Sequence, residues 1–120
     1  MSVEFYGIPN CDTVKKARVW LEAQDIAYAF HDYKKEGADP ARLAAWSDAV
    51  GWDVLLNRRG TTFRGLSEAD KADIDHRKAL LLMEANPSLI RRPVIEHAGG
   101  VLVGFDAGEW EAALTDGSRQ

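Results

Sequence analysis

The sequence predicts an α/β domain built on one mixed four-stranded sheet whose two halves are separated by a helical insert. Three observations predict it. The first 33 residues read strand, helix, strand. Residues from about 38 to 86 carry helix caps and helical spacing. Strand signals return only after Asn86-Pro87, and a short helix closes the chain. At 120 residues and 13.3 kDa the chain is expected to form one domain spanning 1–120. That length buries roughly two-thirds of the unfolded surface and needs no covalent staples.

Each element has a local reason. Val3 to Tyr6 alternates with β-branched and aromatic types and stops at Gly7-Ile8-Pro9-Asn10, which reads as a strand entering a turn. From Cys11 to Gln24, Val14, Ala17 and Leu21 follow the three-to-four spacing of a helix, with Asn10 or Cys11 at its cap. Ile26 to Tyr33 alternates again and predicts a second strand. Lys34-Lys35-Glu36-Gly37 reads as a charged turn. Asp39-Pro40 then opens a helix that stops at Gly51. Trp52 to Asn57 suggests a helical turn, and Arg58 to Gly65 a basic loop flanked by glycine. Ser67 with Asp70 marks a helix start. Asp75 to Ala85 is expected to be a helix burying Leu80, Leu82 and Met83. Val94-Ile95-Glu96 and Val101-Leu102-Val103 flank Gly99-Gly100, a hairpin signal. Trp110 to Leu114 is the last helix, and a polar tail follows from Thr115. A βαβ half and a ββα half sharing one mixed sheet is the thioredoxin-like arrangement. A ferredoxin-like sandwich would need a fourth comparable strand or a shorter middle.

Composition removes several functions. One cysteine excludes an intramolecular disulfide, a Cys-X-X-Cys dithiol and a multi-cysteine zinc site. His31, His76 and His97 lie far apart, so no metal centre is expected. A net charge of -4 and a pI near 5.3 argue against non-specific nucleic-acid binding. No apolar run is long enough to span a membrane, and the first residues lack the basic start and apolar stretch of a signal peptide. A cytoplasmic location is therefore expected, where a thiol stays reduced.

The lone cysteine is then the best chemical candidate. Cys11 falls where a strand meets a helix. The first helical turn offers unpaired N–H groups and roughly half a positive charge, and both favour a thiolate. Such positions lower a thiol pKa from about 8.5 by one or more units. Lys15 and Lys16 lie one turn on, and the Thr13 hydroxyl is close enough in sequence to donate to the sulfur. Cysteine is also often a small apolar filler. Placement after Pro-Asn at a helix start, outside any apolar run, favours the reactive reading. Arg92-Pro93 precedes the third strand. In a thioredoxin-like fold that proline is cis and faces the active-site turn, which aims Arg92 at the thiolate. Arginine suits the role because it stays charged and grips oxyanions with two parallel hydrogen bonds.

Tyr6-Gly7-Ile8-Pro9-Asn10-Cys11-Asp12-Thr13-Val14-Lys15-Lys16-Ala17 resembles the active-site start of the ArsC/Spx family of thioredoxin-fold proteins, in its YffB-type branch. Gly51-Trp52, Leu55-Leu56-Asn57, Arg59-Gly60-Thr61-Thr62 and Ile90-Arg91-Arg92-Pro93 resemble that branch's later blocks, so the likeness extends to about Leu114. It implies a glutaredoxin-like sheet, Cys11 as the reactive thiol, and Arg59 and Arg92 as its anion-binding arginines, with Asn10, Thr13 and Pro93 in support. The third arginine of the family's arsenate reductases falls near Gly104-Phe105, where this chain has none, and Gly7 stands where they have a histidine. The resemblance thus implies a monothiol reductase that holds no bound cofactor and uses glutathione or another external thiol as co-substrate, with glutaredoxin as a further partner. The alternatives are an Spx-like module binding RNA polymerase, with Val14 where many Spx proteins carry a second cysteine, and a true arsenate reductase.

Overall fold

Residues 3–114 are described by the structure, a computed structural model. The chain divides into two compact units, one holding the segment up to Asp32 together with the segment from Arg92, the other Tyr33–Arg91.

The first unit is a four-stranded mixed sheet in the order β2-β1-β3-β4. Strands β1 (Val3–Gly7) and β2 (Tyr28–Asp32) run parallel, joined by helix α1 (Asp12–Ala23). Strands β3 (Val94–His97) and β4 (Gly100–Val103) form an antiparallel hairpin, and β3 pairs antiparallel with β1. Helix α8 (Ala107–Leu114) follows. Side chains alternate across the pleat, so Val3, Phe5 and Ile95 share one face. There they meet Val14, Ala17 and Leu21 of α1 and Trp110 of α8 in one buried cluster. Trp110 is fully buried, packs edge-on to Phe105 with ring centroids 4.9 Å apart, and donates its indole N–H to the Gly104 carbonyl at 3.0 Å. Its polar end is thereby satisfied while its rings fill the core.

The second unit carries the helical segment. Helices α2 (Tyr33–Glu36), α3 (Pro40–Val50), α4 (Trp52–Leu55), α5 (Thr61–Arg64), α6 (Glu68–Lys71) and α7 (His76–Ala85) precede a 3₁₀ turn at Pro87–Leu89. Helices α3, α4 and α7 pack on one another around Leu43, Trp46, Leu55, Ala79 and Met83. The caps at Asp39 and Ser67 are those the sequence announces, and Asp75 adds another. Asp39 accepts from the Ala41 N–H with Pro40 in the first turn, Ser67 accepts from Asp70, and Asp75 from Lys78. Gly51, at φ 94, ends α3 in a conformation that glycine adopts without steric cost.

Several local expectations are corrected. The second strand begins at Tyr28, not Ile26, because Asp25 at φ 57 and an Ile26 N–H bonded to Leu21 wrap the end of α1. The supposed charged turn after it is the helical turn α2. Buried Tyr33 anchors that turn by donating its hydroxyl to the Ile90 carbonyl at 3.0 Å. The basic loop contains a turn of helix, α5. On α7 the buried residues are Ala79 and Met83; Leu80 and Leu82 are partly exposed. The hairpin turns through Ala98 and Gly99, with Gly100 already paired to His97. Helix α8 starts a turn before Trp110, where the Asp106 carboxylate caps the Glu109 N–H at 2.9 Å. The polar tail from Thr115 lies outside the described residues. Among the described residues no helix is long and apolar enough to cross a membrane.

Trp110→Ala is expected to remove about 3–5 kcal/mol of stability, the usual cost of deleting a buried tryptophan. Urea unfolding followed by circular dichroism measures it. A loss below about 1 kcal/mol would mean α8 is not what closes this core.

Candidate active site

The site forms where β1 hands the chain to α1. Ile8, Pro9 and Asn10 make the connecting turn, closed by the Cys11 N–H donating to the Ile8 carbonyl at 3.3 Å. Cys11 is the N-cap residue of α1, extended at φ -100 and ψ 127, and its carbonyl accepts the first helical bond from Lys15 at 2.9 Å. This close handover depends on Gly7. A Cβ built there would lie 3.0 Å from Val14 Cγ2 and 3.4 Å from Phe5 Cε1, and both side chains are fully buried. Glycine lets the strand end and the first helical turn touch.

The sulfur of Cys11 is half-buried and packs against the core cluster. Burial is the largest single influence on it and opposes ionisation. Four opposing influences outweigh burial, in decreasing order: the Val14 N–H, a hydrogen bond from the Arg92 side chain, the Thr13 N–H, and the Arg92 charge. The thiol pKa therefore falls below its ordinary value. The sulfur does not close a full capping bond in this geometry, yet both N–H groups favour its charged form. A thiolate here is both stabilised and partly open to solvent, the combination a nucleophilic cysteine needs.

The sequence-derived site residues fall into two groups. Cys11, Asn10, Thr13, Arg92 and Pro93 all belong to the first unit. Asn10 is exposed just before the cap. Thr13 acts through its backbone N–H, whereas its hydroxyl was the expected donor. The positive charge acting on the sulfur is that of Arg92, and Lys15 and Lys16 stand exposed on α1. The Arg92–Pro93 bond is cis, and the buried Pro93 accepts from the Gly104 N–H at 2.8 Å. Arg59 belongs to the second unit, where it is exposed and donates its backbone N–H to Asn57 Oδ1 at 3.1 Å. Its neighbour Arg58 lies over the Trp52 ring at 5.5 Å. Phe105 packs against Trp20 and Trp110.

Sequence reasoning foresaw the first-turn N–H groups without singling out Val14, and it missed Gly7 as a contributor. A signal existed for Val14, since the third residue after an N-cap regularly points its N–H at the capping side chain. Gly7 showed only as a turn residue. Its role depends on how near two elements come in space.

Arg92→Met is expected to raise the Cys11 pKa and to slow alkylation by iodoacetamide at pH 7 by about three- to tenfold, since one pKa unit changes the thiolate fraction tenfold below the pKa. The alkylation profile should shift to higher pH, because the thiolate forms only above the raised pKa. Gly7→Ala should shift it the same way by displacing Val14. Profiles identical to wild type for both variants would remove these groups from the site.

Comparison with known proteins gives a consistent picture. Residues 6–113 match the family model described as ArsC family. A solved YFFB protein is 53% identical, with a TM-score of 0.91, covering 94% of this chain and 99% of its own. A solved arsenate reductase related protein from Brucella melitensis is 51% identical, with a TM-score of 0.75, covering 96% of each chain. The global transcriptional regulator Spx of Listeria innocua is 30% identical over 109 residues, 89% of this chain and 82% of its own.

Proposed function

The chain belongs to the ArsC family, and from that premise we propose that it is a glutathione-dependent monothiol reductase with Cys11 as its nucleophile. The supporting observation is the half-buried Cys11 sulfur at the N-cap of α1, held toward the thiolate by two backbone N–H groups and Arg92. In the first step the thiolate attacks one sulfur of a mixed disulfide between glutathione and a substrate thiol. The Cys11–glutathione disulfide forms, the substrate disulfide breaks, and the substrate leaves as thiolate and takes a proton from water. In the second step the thiolate of a second glutathione attacks the glutathione sulfur of that adduct. Cys11 thiolate is released and glutathione disulfide departs. Over the cycle the substrate gains two electrons and two glutathione units are joined. The second thiol must come from outside because the chain contains one cysteine. Arg92 supplies a fixed positive charge beside the sulfur for the carboxylates of glutathione. The family resemblance assigns Arg59 to the same anion.

Incubation with glutathione disulfide should add one glutathionyl group to the wild type by intact mass, at least about tenfold faster at pH 7 than to an unstructured cysteine peptide, as a lowered pKa predicts. Cys11→Ser should take up none and should lose turnover of glutathione mixed disulfides. Arg59→Gln should raise the KM for glutathione while leaving the thiol pKa in place. A wild-type adduct rate equal to that of the peptide would sink the reductase reading.

A second reading rests on the Spx relatives, which are named as transcriptional regulators. In it the chain binds RNA polymerase, and the thiol is secondary. Purified polymerase α subunit should then bind wild type and Cys11→Ser with equal affinity, and absence of binding to either ends this reading. Arsenate reduction is disfavoured because the aromatic Phe105, tied into the core by Trp20 and Trp110, offers no third positive charge.

A further inference from the structure

Helix α7 buries one face and leaves another uncovered. Its inner residues, Ala79 and Met83, are fully buried. Beside them a groove of about 270 Å³ runs between the first turn of α3 and the length of α7, with Pro40, Leu43 and Leu80 among its lining. Leu81 stands at its lip with 54% of its surface exposed, unusual for a large aliphatic side chain. Arg77 and Glu84 also line the groove, and both are exposed. Neither forms an ion pair with any described residue.

The order of these four residues identifies an occupant. Arg77 and Glu84 are seven residues apart, about 10.5 Å along the axis, so they point to nearly the same side. The midpoint between them falls between Leu80 and Leu81. A two-fold axis through that midpoint lays a second α7 antiparallel on the first. Arg77 then faces Glu84 of the second copy, Glu84 faces its Arg77, and Leu80 faces its Leu81. The pattern is self-complementary, as a two-fold interface requires. A helix from an unrelated protein would need no such symmetry of charge about an apolar centre. We propose that the chain self-associates through α7, with the two copies antiparallel and Leu81 of each entering the groove of the other. The contact is small, so the dimer is weak and transient.

Sedimentation equilibrium of the full chain tests this. Wild type should pass from monomer to dimer with a dissociation constant on the order of 100 μM, as suits an interface of the low size class. R77E and E84R each place like charges opposite one another, and each alone should dimerise at least about tenfold more weakly. The decisive sample is an equimolar mixture of the two variants. The acidic face of R77E meets the basic face of E84R, and a heterodimer should form about as tightly as wild type. Leu81→Ser should weaken wild-type association without changing the far-ultraviolet circular dichroism. Three results would each overturn the proposal: a wild type still monomeric near 1 mM, single variants that dimerise as tightly as wild type, or a mixture no more associated than its components.

Discussion

The contact between the end of β1 and the first turn of α1 governs this molecule. Gly7 has no side chain, so Val14 can sit directly against the strand end. That contact lets the short Ile8-Pro9-Asn10 turn deliver Cys11 to the helix N-cap. It also aims the Val14 and Thr13 N–H groups at the sulfur. The same helix turn thus belongs to the hydrophobic core through Val14 and to the chemistry through its backbone.

The balance at the sulfur follows from this geometry. Packing Cys11 against the core excludes water on one side and raises the energy of the thiolate. Unpaired helix donors and a guanidinium on the other side lower it further than burial raises it. Arg92 is in place because β3 pairs with β1, so its position depends on the sheet and not on α1. Two segments remote in sequence, the start of α1 and Arg92 just before β3, converge on one atom. A reagent reaching the exposed side of the sulfur meets a thiol of lowered pKa beside the Arg92 charge.

The two positions where the resemblance implies a histidine and a third arginine have a structural side as well. Phe105 is held by Trp20 and Trp110, so this position supports the core. Gly7 is likewise occupied with packing and has no room for a histidine without moving Val14. Both positions are used for assembling the sheet and its covering helices. The proposed chemistry accordingly falls on Cys11 and a small number of cations.

Much of this was readable from the chain alone. The βαβ start, the capped helix at Asp39-Pro40, the hairpin and the lone cysteine at a helix start are local patterns. Residues a few positions apart determine them through periodicity, capping and turn chemistry. Tertiary structure decided what depends on distances between remote segments. Tyr33 leaves the strand pattern because its hydroxyl finds the Ile90 carbonyl, 57 residues away. The buried face of α7 centres on Ala79 and Met83, because α3 and α4 set the angle from which the helix is covered. Gly7 matters through what a Cβ would strike, and Arg92 through the strand that carries it to the sulfur. The sequence by itself determined which residue could be a nucleophile. Folding decided that its thiol is held toward the charged form, because only the folded chain brings a strand end, a helix start and a distant arginine together.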